Sequence, residues 1–201
     1  MPKTYDQAYF DRWYRSAPER RGAAARRARK VAAAVAIAEL VLERPIRSVL
    51  DVGCGEGAWR APLLALRPGL RYLGLDPSEY AVRRWGARRG LLRAGFGDLA
   101  HYRPCPPVDL LVCSDVLHYL PMVELRRGLP GLAELVGGVA WLDCYARGDA
   151  IEGDLEGFQA RPASTYRRLF AEAGLAPVGP CSWAPAGLAG ALTAMERVPA
   201  G

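Results

Sequence analysis

The sequence lacks the cysteine pairs that build zinc sites and small disulfide scaffolds. Its five cysteines are scattered between Cys54 and Cys181 without any Cys-x-x-Cys spacing, and their number is odd. This pattern is typical of reduced thiols in a cytoplasmic protein, so we predict neither a metal site nor a disulfide. A chain of 201 residues needs neither to fold, because it buries roughly 70% of its unfolded surface.

Long apolar runs are also missing. The run at residues 31–38 is shorter than the ~20 residues that a membrane-spanning helix needs, and Glu39 and Glu43 follow it directly. The first residues, Met1-Pro2-Lys3, do not resemble a secretory leader. The sequence therefore predicts a cytoplasmic protein with no membrane partner.

Lysine is scarce although the net charge is +6, since Lys3 and Lys30 are the only lysines and arginine supplies the remaining cations. A basic chain can bind nucleic acid, but an arginine bias can also reflect genomic composition. The densest basic run, Arg20 to Lys30, falls on an alanine-rich helix predicted at residues 22–43. We interpret this run as a solvated helix face rather than an anion-binding patch, and we expect no nucleic-acid partner.

Strand-like and helix-like segments alternate along the chain. The predicted strands are residues 47–52, 71–76, 91–96, 109–113, 139–143, 177–182 and 190–197. The predicted helices are residues 58–66, 78–89, 122–136 with a break near 128–130, and 163–173. This alternation predicts an α/β fold of the Rossmann-like kind, in which a mostly parallel sheet carries helices on both faces and binds ligands at the carboxyl ends of its strands.

Two further segments are candidates for covering a ligand. Residues 4–15 place Tyr5, Tyr9 and Trp13 on one side of a short helix, which either packs against the domain or closes over a small-molecule site. Residues 146–162 are rich in glycine and acidic residues, which indicates a loop or a second lid. We divide the chain into an N-terminal helical cap, residues 1–45, and one globular domain, residues 46–201.

An apolar strand runs into three alternate glycines, Gly53, Gly55 and Gly57. Glycines at this spacing let the backbone turn tightly beside a nucleotide. Taken alone, the turn also satisfies the dinucleotide fingerprint, whose last position is glycine or alanine. Asp76 ends the next strand, where a carboxylate accepts hydrogen bonds from both ribose hydroxyls. An acid at this position is found both in proteins that bind a dinucleotide and in proteins that bind a single nucleoside.

Four motifs in a fixed order decide between these classes. They are Val49-Leu50-Asp51-Val52-Gly53-Cys54-Gly55-Glu56-Gly57, Gly74-Leu75-Asp76-Pro77-Ser78, Gly97-Asp98-Leu99 and Asp109-Leu110-Leu111-Val112-Cys113-Ser114-Asp115-Val116-Leu117-His118-Tyr119-Leu120. In order and spacing, the set resembles the class I S-adenosylmethionine-dependent methyltransferases. The resemblance implies a seven-stranded sheet with an antiparallel last strand, and a transferase that uses S-adenosyl-L-methionine and releases S-adenosyl-L-homocysteine.

The same resemblance implies where the cofactor binds. The implied contacts are Asp51, Gly53, Cys54 and Gly55 around the methionine portion, Asp76 and Pro77 around the ribose, Gly97, Asp98 and Leu99 around the adenine, and Ser114 beside the methionine amino group. For Asp98, a helix-capping role is the alternative interpretation.

Few catalytic side chains are expected, because methyl transfer is an in-line displacement that depends mainly on alignment and removal of water. The candidate catalytic residues are Asp115 and His118. His118 is the candidate base, and forming a wall of the site is its alternative role. The candidate acceptor contacts are Tyr5, Tyr9, Trp13, Tyr119 and Tyr145.

The residues after the fourth strand depart from one branch of this family. Methyltransferases that act on exocyclic amines of nucleic-acid bases carry an acid or amide, two prolines and an aromatic residue there, whereas this chain has Ser114-Asp115-Val116-Leu117-His118. We therefore predict a small-molecule acceptor that is methylated on oxygen or nitrogen. The alternatives are an RNA or protein methyltransferase that uses the basic helix, and a protein that binds S-adenosylmethionine without turnover; the sequence leaves the acceptor and the oligomeric state open.

Overall fold

A seven-stranded mixed sheet carries the fold in a computed structural model that describes residues 5–15, 22–151 and 154–198. Its strands are β1 (Ser48–Val52), β2 (Arg71–Asp76), β3 (Leu91–Arg93), β4 (Val108–Ser114), β5 (Val136–Asp143), β6 (Leu175–Gly179) and β7 (Ser182–Pro185). They lie in the order β3-β2-β1-β4-β5-β7-β6; neighbours among β1 to β5 are parallel, and β7 is antiparallel to both of its neighbours. The predicted fold class is confirmed, including the antiparallel last strand.

Helices cover both faces of the sheet. They are α1 (Gln7–Phe10), continued by a π-helical turn (Asp11–Arg15), α2 (Ala23–Leu42), α3 (Arg60–Leu66), α4 (Glu79–Arg89), α5 (Met122–Glu134), α6 (Ala163–Glu172) and α7 (Ala186–Ala191), with 3₁₀ turns at Phe96–Ala100 and Leu117–Tyr119. Successive strand residues face opposite sides, so Leu50 and Leu111 join the core under α5 and α6, while Val49 and Leu110 join the core under α2 and α3. Within the described ranges, no helix is long and apolar enough to cross a membrane.

Helix α5 is continuous where the sequence predicts a break near residues 128–130. Pro130 lies inside it. The two glycines that flank Pro130 have a packing role instead: a Cβ on Gly128 would lie 2.4 Å from the carbonyl oxygen of Phe96, and one on Gly131 would lie 1.8 Å from that of Leu99. These glycines let α5 press directly against the backbone of the 3₁₀ turn after β3.

The end of the sheet differs from the predicted strands. The prediction of a strand at residues 190–197 is wrong, because α7 ends at Ala191 and the Arg197 guanidinium then donates to the carbonyl oxygens of Gly190 and Leu192. The predicted strand at 177–182 spans the tight turn between β6 and β7, where Cys181 has a φ of 53°. Strand β3 ends at Arg93 rather than residue 96, because the chain turns into the 3₁₀ segment.

The N-terminal segment packs onto the ends of the strands. Phe10 is 1% exposed and stacks on Tyr80 with 5.7 Å between ring centroids. The Ser78 hydroxyl donates to the carbonyl oxygen of Tyr5 over 2.5 Å. Helix α2, which follows, buries Val31 in the same core as β1 and β4. The division into a cap at 1–45 and a domain at 46–201 stays a prediction.

Candidate cofactor and acceptor site

One cavity of about 1190 Å³ opens at the carboxyl ends of β1, β2 and β4. Its volume exceeds the roughly 300–1,000 Å³ of a pocket for one small ligand, so it has room for a cofactor and an acceptor together. The predicted site residues that line it are Tyr5, Tyr9, Trp13, Asp51, Gly53, Cys54, Gly55, Asp76, Pro77, Ser114, Asp115, His118, Tyr119 and Tyr145. The chain therefore brings together residues that are far apart in sequence.

The glycine turn after β1 forms one end of the cavity. Gly53 and Gly55 have φ values of 73° and 55°, which side chains other than glycine rarely adopt. A Cβ on Gly53 would lie 2.4 Å from the Val116 Cγ2 atom, and one on Gly55 would lie 2.6 Å from the Tyr14 hydroxyl oxygen. No side chain at Gly53 or Gly55 therefore separates the backbone from the cavity, which lets a ligand bind close to that backbone.

Asp76 joins the glycine turn to the end of β2. Its carboxylate accepts hydrogen bonds from the backbone N–H groups of Gly55 at 2.7 Å and of Ser78 at 2.9 Å. Burial raises the pKa of Asp76, and these two hydrogen bonds oppose the rise because they favour the ionised form. The carboxylate is therefore held in one orientation at the cavity wall.

Asp51 is the most enclosed acid of the site, with only 2% of its surface exposed. The Tyr72 hydroxyl donates to its carboxylate over 2.7 Å. Burial raises the pKa of Asp51 to about 7, against the opposing effect of the Tyr72 hydrogen bond and with a further contribution from Asp76. A carboxyl group with such a pKa changes its charge near neutral pH.

The end of β4 is fixed by a lysine that the sequence analysis did not select as a site residue. Lys30 Nζ lies 2.5 Å from the Asp143 carboxylate and 3.6 Å from that of Asp115. The Asp115 backbone adopts a φ of 60° and its N–H donates to the carbonyl oxygen of Asp143. Enclosure in the cavity and the Asp143 charge raise the pKa of Asp115, and Lys30 opposes both. No local pattern distinguishes Lys30 from its basic neighbours in the sequence.

His118 lies at the cavity wall and is 1% exposed. Its Nδ1 atom accepts a 3.3 Å hydrogen bond from the backbone N–H of Tyr145, and its ring lies 4.2 Å from that of Tyr119. A neutral imidazole that accepts at one nitrogen carries its proton on the other. In this tautomer, His118 has no basic nitrogen to offer to an acceptor unless the bond to Tyr145 breaks.

The N-terminal aromatic segment covers the cavity. The rings of Tyr5 and Tyr9 meet edge to face at 5.1 Å, and Arg15 pairs with Glu56 of the glycine turn at 2.5 Å. Burial raises the pKa of Tyr5 to about 12, with a further contribution from the negative charge of Asp76. The segment is thus attached near the glycine turn and the end of β2 at both of its termini, through Tyr5 at one and Arg15 at the other.

The loop predicted at residues 146–162 is attached to the opposite wall. Residues 152 and 153 of this loop lie outside the described ranges, as do Arg20 and Arg21 of the basic run. The Tyr119 hydroxyl donates to the carbonyl oxygen of Asp154 at 2.7 Å, and the Gln159 N–H donates to that of His118 at 2.8 Å.

A buried cation holds this attachment, and no pattern in the sequence indicates it. Arg161 is 9% exposed and donates to the carbonyl oxygens of Leu120 at 2.5 Å and of Leu117 at 3.5 Å. A third bond, at 3.4 Å, reaches the Tyr166 hydroxyl. Arg161 thus binds both ends of the 3₁₀ turn that carries His118.

Three predicted adenine contacts do not line the cavity. The Asp98 carboxylate accepts from the backbone N–H of Gly95 at 2.8 Å, which is the capping role given above as its alternative. Gly97 faces the Arg127 guanidinium, and Leu99 is fully buried in the core. Phe96, which the sequence places next to these residues, lines the cavity in their stead.

The comparisons with known proteins agree with this geometry. Residues 50–137 match the family described as a methyltransferase domain. The chain is 41% identical over 91 residues to a trans-aconitate 2-methyltransferase of Methylobacterium nodulans, an alignment that covers 44% of this chain and 34% of that protein. The chain thus spans about a third of the length of the curated relatives it matches.

Solved structures with the same fold include two methyltransferases. A SAM-dependent methyltransferase from Archaeoglobus fulgidus has a TM-score of 0.61 at 14% identity, covering 84% of this chain and 73% of its own. Magnesium protoporphyrin IX methyltransferase from Synechocystis PCC 6803, with bound SAH, also has a TM-score of 0.61, at 22% identity, covering 87% and 89%. At these identities the likeness establishes the fold, and together with the matched methyltransferase domain and the methyltransferase relatives it supports a class I S-adenosylmethionine-dependent methyltransferase.

Proposed function

We propose that this chain transfers the methyl group of S-adenosylmethionine to oxygen or nitrogen of a small-molecule acceptor. The observation that carries the proposal is the single cavity in which the glycine turn, Asp76 and the segment after β4 meet, with space beyond them for a second ligand. A protein that only sequesters the cofactor needs no such second space. The trans-aconitate 2-methyltransferases among its relatives are, by name, enzymes with a small acceptor.

The residues at the cofactor end fit the three parts of S-adenosylmethionine. The bare backbone at Gly53 and Gly55 and the neighbouring Asp51 suit an amino-acid portion, since an ammonium group would stabilise the ionised carboxylate. Asp76 is oriented to accept from ribose hydroxyls. Phe96 and the adjoining cavity wall suit the flat adenine ring.

The bound cofactor supplies a methyl group activated by a sulfonium charge, and the chain supplies alignment. Tyr119, Tyr145 and the N-terminal aromatic rings enclose the space next to Ser114 and Asp115. Enclosure of this kind removes water and holds the acceptor atom in line with the methyl group. The hydrogen bond from Tyr145 to His118 Nδ1 supports a role in the wall rather than in proton removal.

This role of His118 favours acceptors whose attacking atom is nucleophilic without first losing a proton. A carboxylate oxygen or an unprotonated amine attacks without prior removal of a proton, whereas a phenol requires a base. A carboxylate is methylated with no proton to transfer, and an amine releases its proton to water after the attack. Small acids and amines are therefore the acceptor classes that the site suits.

The basic helix gives less support to an RNA or protein acceptor. Lys30 is committed to Asp143, and Arg26 and Arg27 line the cavity. A flat, outward row of cations is what binding to phosphates would require.

Calorimetry with S-adenosylhomocysteine tests the cofactor assignment. Asp76→Asn should weaken binding by about tenfold or more, because the ribose hydroxyls lose a charged acceptor. Glu172→Gln, at an exposed acid on α6, is the control and should bind like the parent. Equal affinities for Asp76→Asn and the parent would contradict the placement of the ribose.

Release of S-adenosylhomocysteine tests the reaction. The parent protein is given S-adenosylmethionine with trans-aconitate, with other small carboxylic acids, with small amines and with total RNA in parallel. We expect turnover with an acid or an amine and none with RNA. Turnover with RNA alone would refute the small-molecule acceptor.

A further inference from the structure

Arg27 is a cation in the cavity that no group among the described residues neutralises directly. It is the fifth residue of α2, is partly buried and lines the cavity. It makes no hydrogen bond or ion pair in the described part of the chain. Two nearby cations differ in this respect, since Arg15 pairs with Glu56 and Lys30 pairs with Asp143. A partly buried guanidinium without a partner is costly and indicates a place for an anion.

The charge of Arg27 is felt at the glycine-turn end of the cavity. It lowers the pKa of Asp51, of Asp115 and of Tyr14, in each case against the larger effect of burial. The two acids are already engaged, Asp51 by the Tyr72 hydroxyl and Asp115 by Lys30. The guanidinium therefore lies among these groups with its own donors available to a ligand.

We propose that Arg27 binds the carboxylate of a ligand in this cavity, an inference that rests on the proposed function. A guanidinium matches a carboxylate with two parallel N–H···O bonds, which a lysine cannot reproduce. Two ligands of the site can bring a carboxylate to this end: the methionine portion of the cofactor and an acidic acceptor. In either case Arg27 is a binding residue that the sequence motifs do not contain.

Two nucleoside thioethers separate the cofactor from the acceptor as the source of the carboxylate. S-adenosylhomocysteine carries the amino-acid portion, and 5′-methylthioadenosine lacks it. Both are titrated by calorimetry into the parent protein, Arg27→Gln and Arg27→Lys. Trans-aconitate is then titrated into each protein saturated with S-adenosylhomocysteine. The matched control is Arg29→Gln, which removes an exposed arginine from the same helix.

The expected result is a loss of affinity for only the ligand that supplies the carboxylate. If the cofactor supplies it, Arg27→Gln binds S-adenosylhomocysteine about tenfold or more weakly and 5′-methylthioadenosine unchanged. If the acceptor supplies it, both thioethers bind unchanged and trans-aconitate binds more weakly. Arg27→Lys should recover part of either loss of affinity, because lysine keeps the positive charge but lacks the paired N–H donors of the guanidinium.

Two results would overturn the inference. Equal weakening of both thioethers would mean that Arg27 only offsets the buried acids, and an unchanged affinity for all three probes would mean that no carboxylate binds there. Failure of the parent protein to bind either thioether would refute the proposed function itself, which separates that outcome from failure at Arg27 alone.

Discussion

The pKa of Asp51 makes ligand binding depend on pH in a direction that can be stated in advance. Burial raises this pKa from its ordinary value of 3.8 to about 7, so the carboxyl group of the free protein is half protonated at neutrality. A ligand ammonium group binds the ionised form and not the neutral one. Affinity for S-adenosylhomocysteine should therefore be full above pH 7 and fall as the pH drops through 7.

The magnitude follows from the fraction of protein that must lose a proton before it binds. With a pKa of about 7, Asp51 is ~90% ionised at about pH 8 and ~10% ionised at about pH 6, which gives roughly a tenfold fall in affinity. Loss of the Tyr72 hydrogen bond in Tyr72→Phe should raise the pKa and move the midpoint to higher pH, since that bond favours the ionised form.

Calorimetric titrations at several pH values, in buffers of equal ionic strength, measure this effect. Asp51→Asn should bind weakly and with a flat pH response, and 5′-methylthioadenosine, which has no ammonium group, should show no fall in either protein. The free energy of unfolding gives a second readout: because the folded state holds the proton more tightly, stability should decrease from about pH 4 to about pH 7 in the parent and less so in Asp51→Asn. A parent affinity that is constant between pH 6 and pH 8 would refute the reasoning.

Two further predictions concern the wall of the acceptor space. His118→Gln should lower turnover less than tenfold and leave the shape of the pH–rate profile unchanged; loss of a limb of that profile near neutrality would make His118 a base after all. Arg161→Met should lower the free energy of unfolding by roughly 2–4 kcal/mol in urea, because the carbonyl oxygens of Leu117 and Leu120 lose a charged donor. It should also raise the KM for the acceptor while the affinity for S-adenosylhomocysteine is kept, and Arg161→Lys should recover part of both effects.

The parts of the fold that depend on local sequence could be predicted well. Strands β1, β2 and β4 and the glycine turn follow from short apolar runs and from residue types that allow a left-handed backbone. The strand prediction at residues 190–197 is wrong because it rests on local apolar character, whereas the structure there is set by the hydrogen bonds from Arg197 back to the end of α7. The sequence predicts a helix break near residues 128–130 because the packing partner of Gly128 and Gly131, the 3₁₀ turn at Phe96–Ala100, is not visible from their own neighbours.

The residues of the candidate site also fall into two groups: those that the sequence predicts and those that it does not. Asp51 and Asp76 stand at strand ends within recognisable motifs, and the structure places both at the cavity. Lys30 and Arg161 could not be found, since each acts on residues about 40 or more positions away that meet it only in the folded chain. Arg27 was hidden for a different reason: it belongs to a run of similar arginines, and the sequence does not reveal which of them line the cavity.

The attachment of the loop at residues 154–161 has a consequence for how acceptor preference can change. Arg161 and the Gln159 N–H bind the chain at Leu117, His118 and Leu120 through main-chain carbonyl oxygens only. Every amino acid presents that same oxygen, so the side chain at 118 can be exchanged without undoing these bonds, whereas Tyr119 also holds the loop through its hydroxyl bond to Asp154. Substitutions at position 118 therefore change the wall of the acceptor space while the backbone that carries it stays attached, and libraries varied at this position are the natural route to new acceptors.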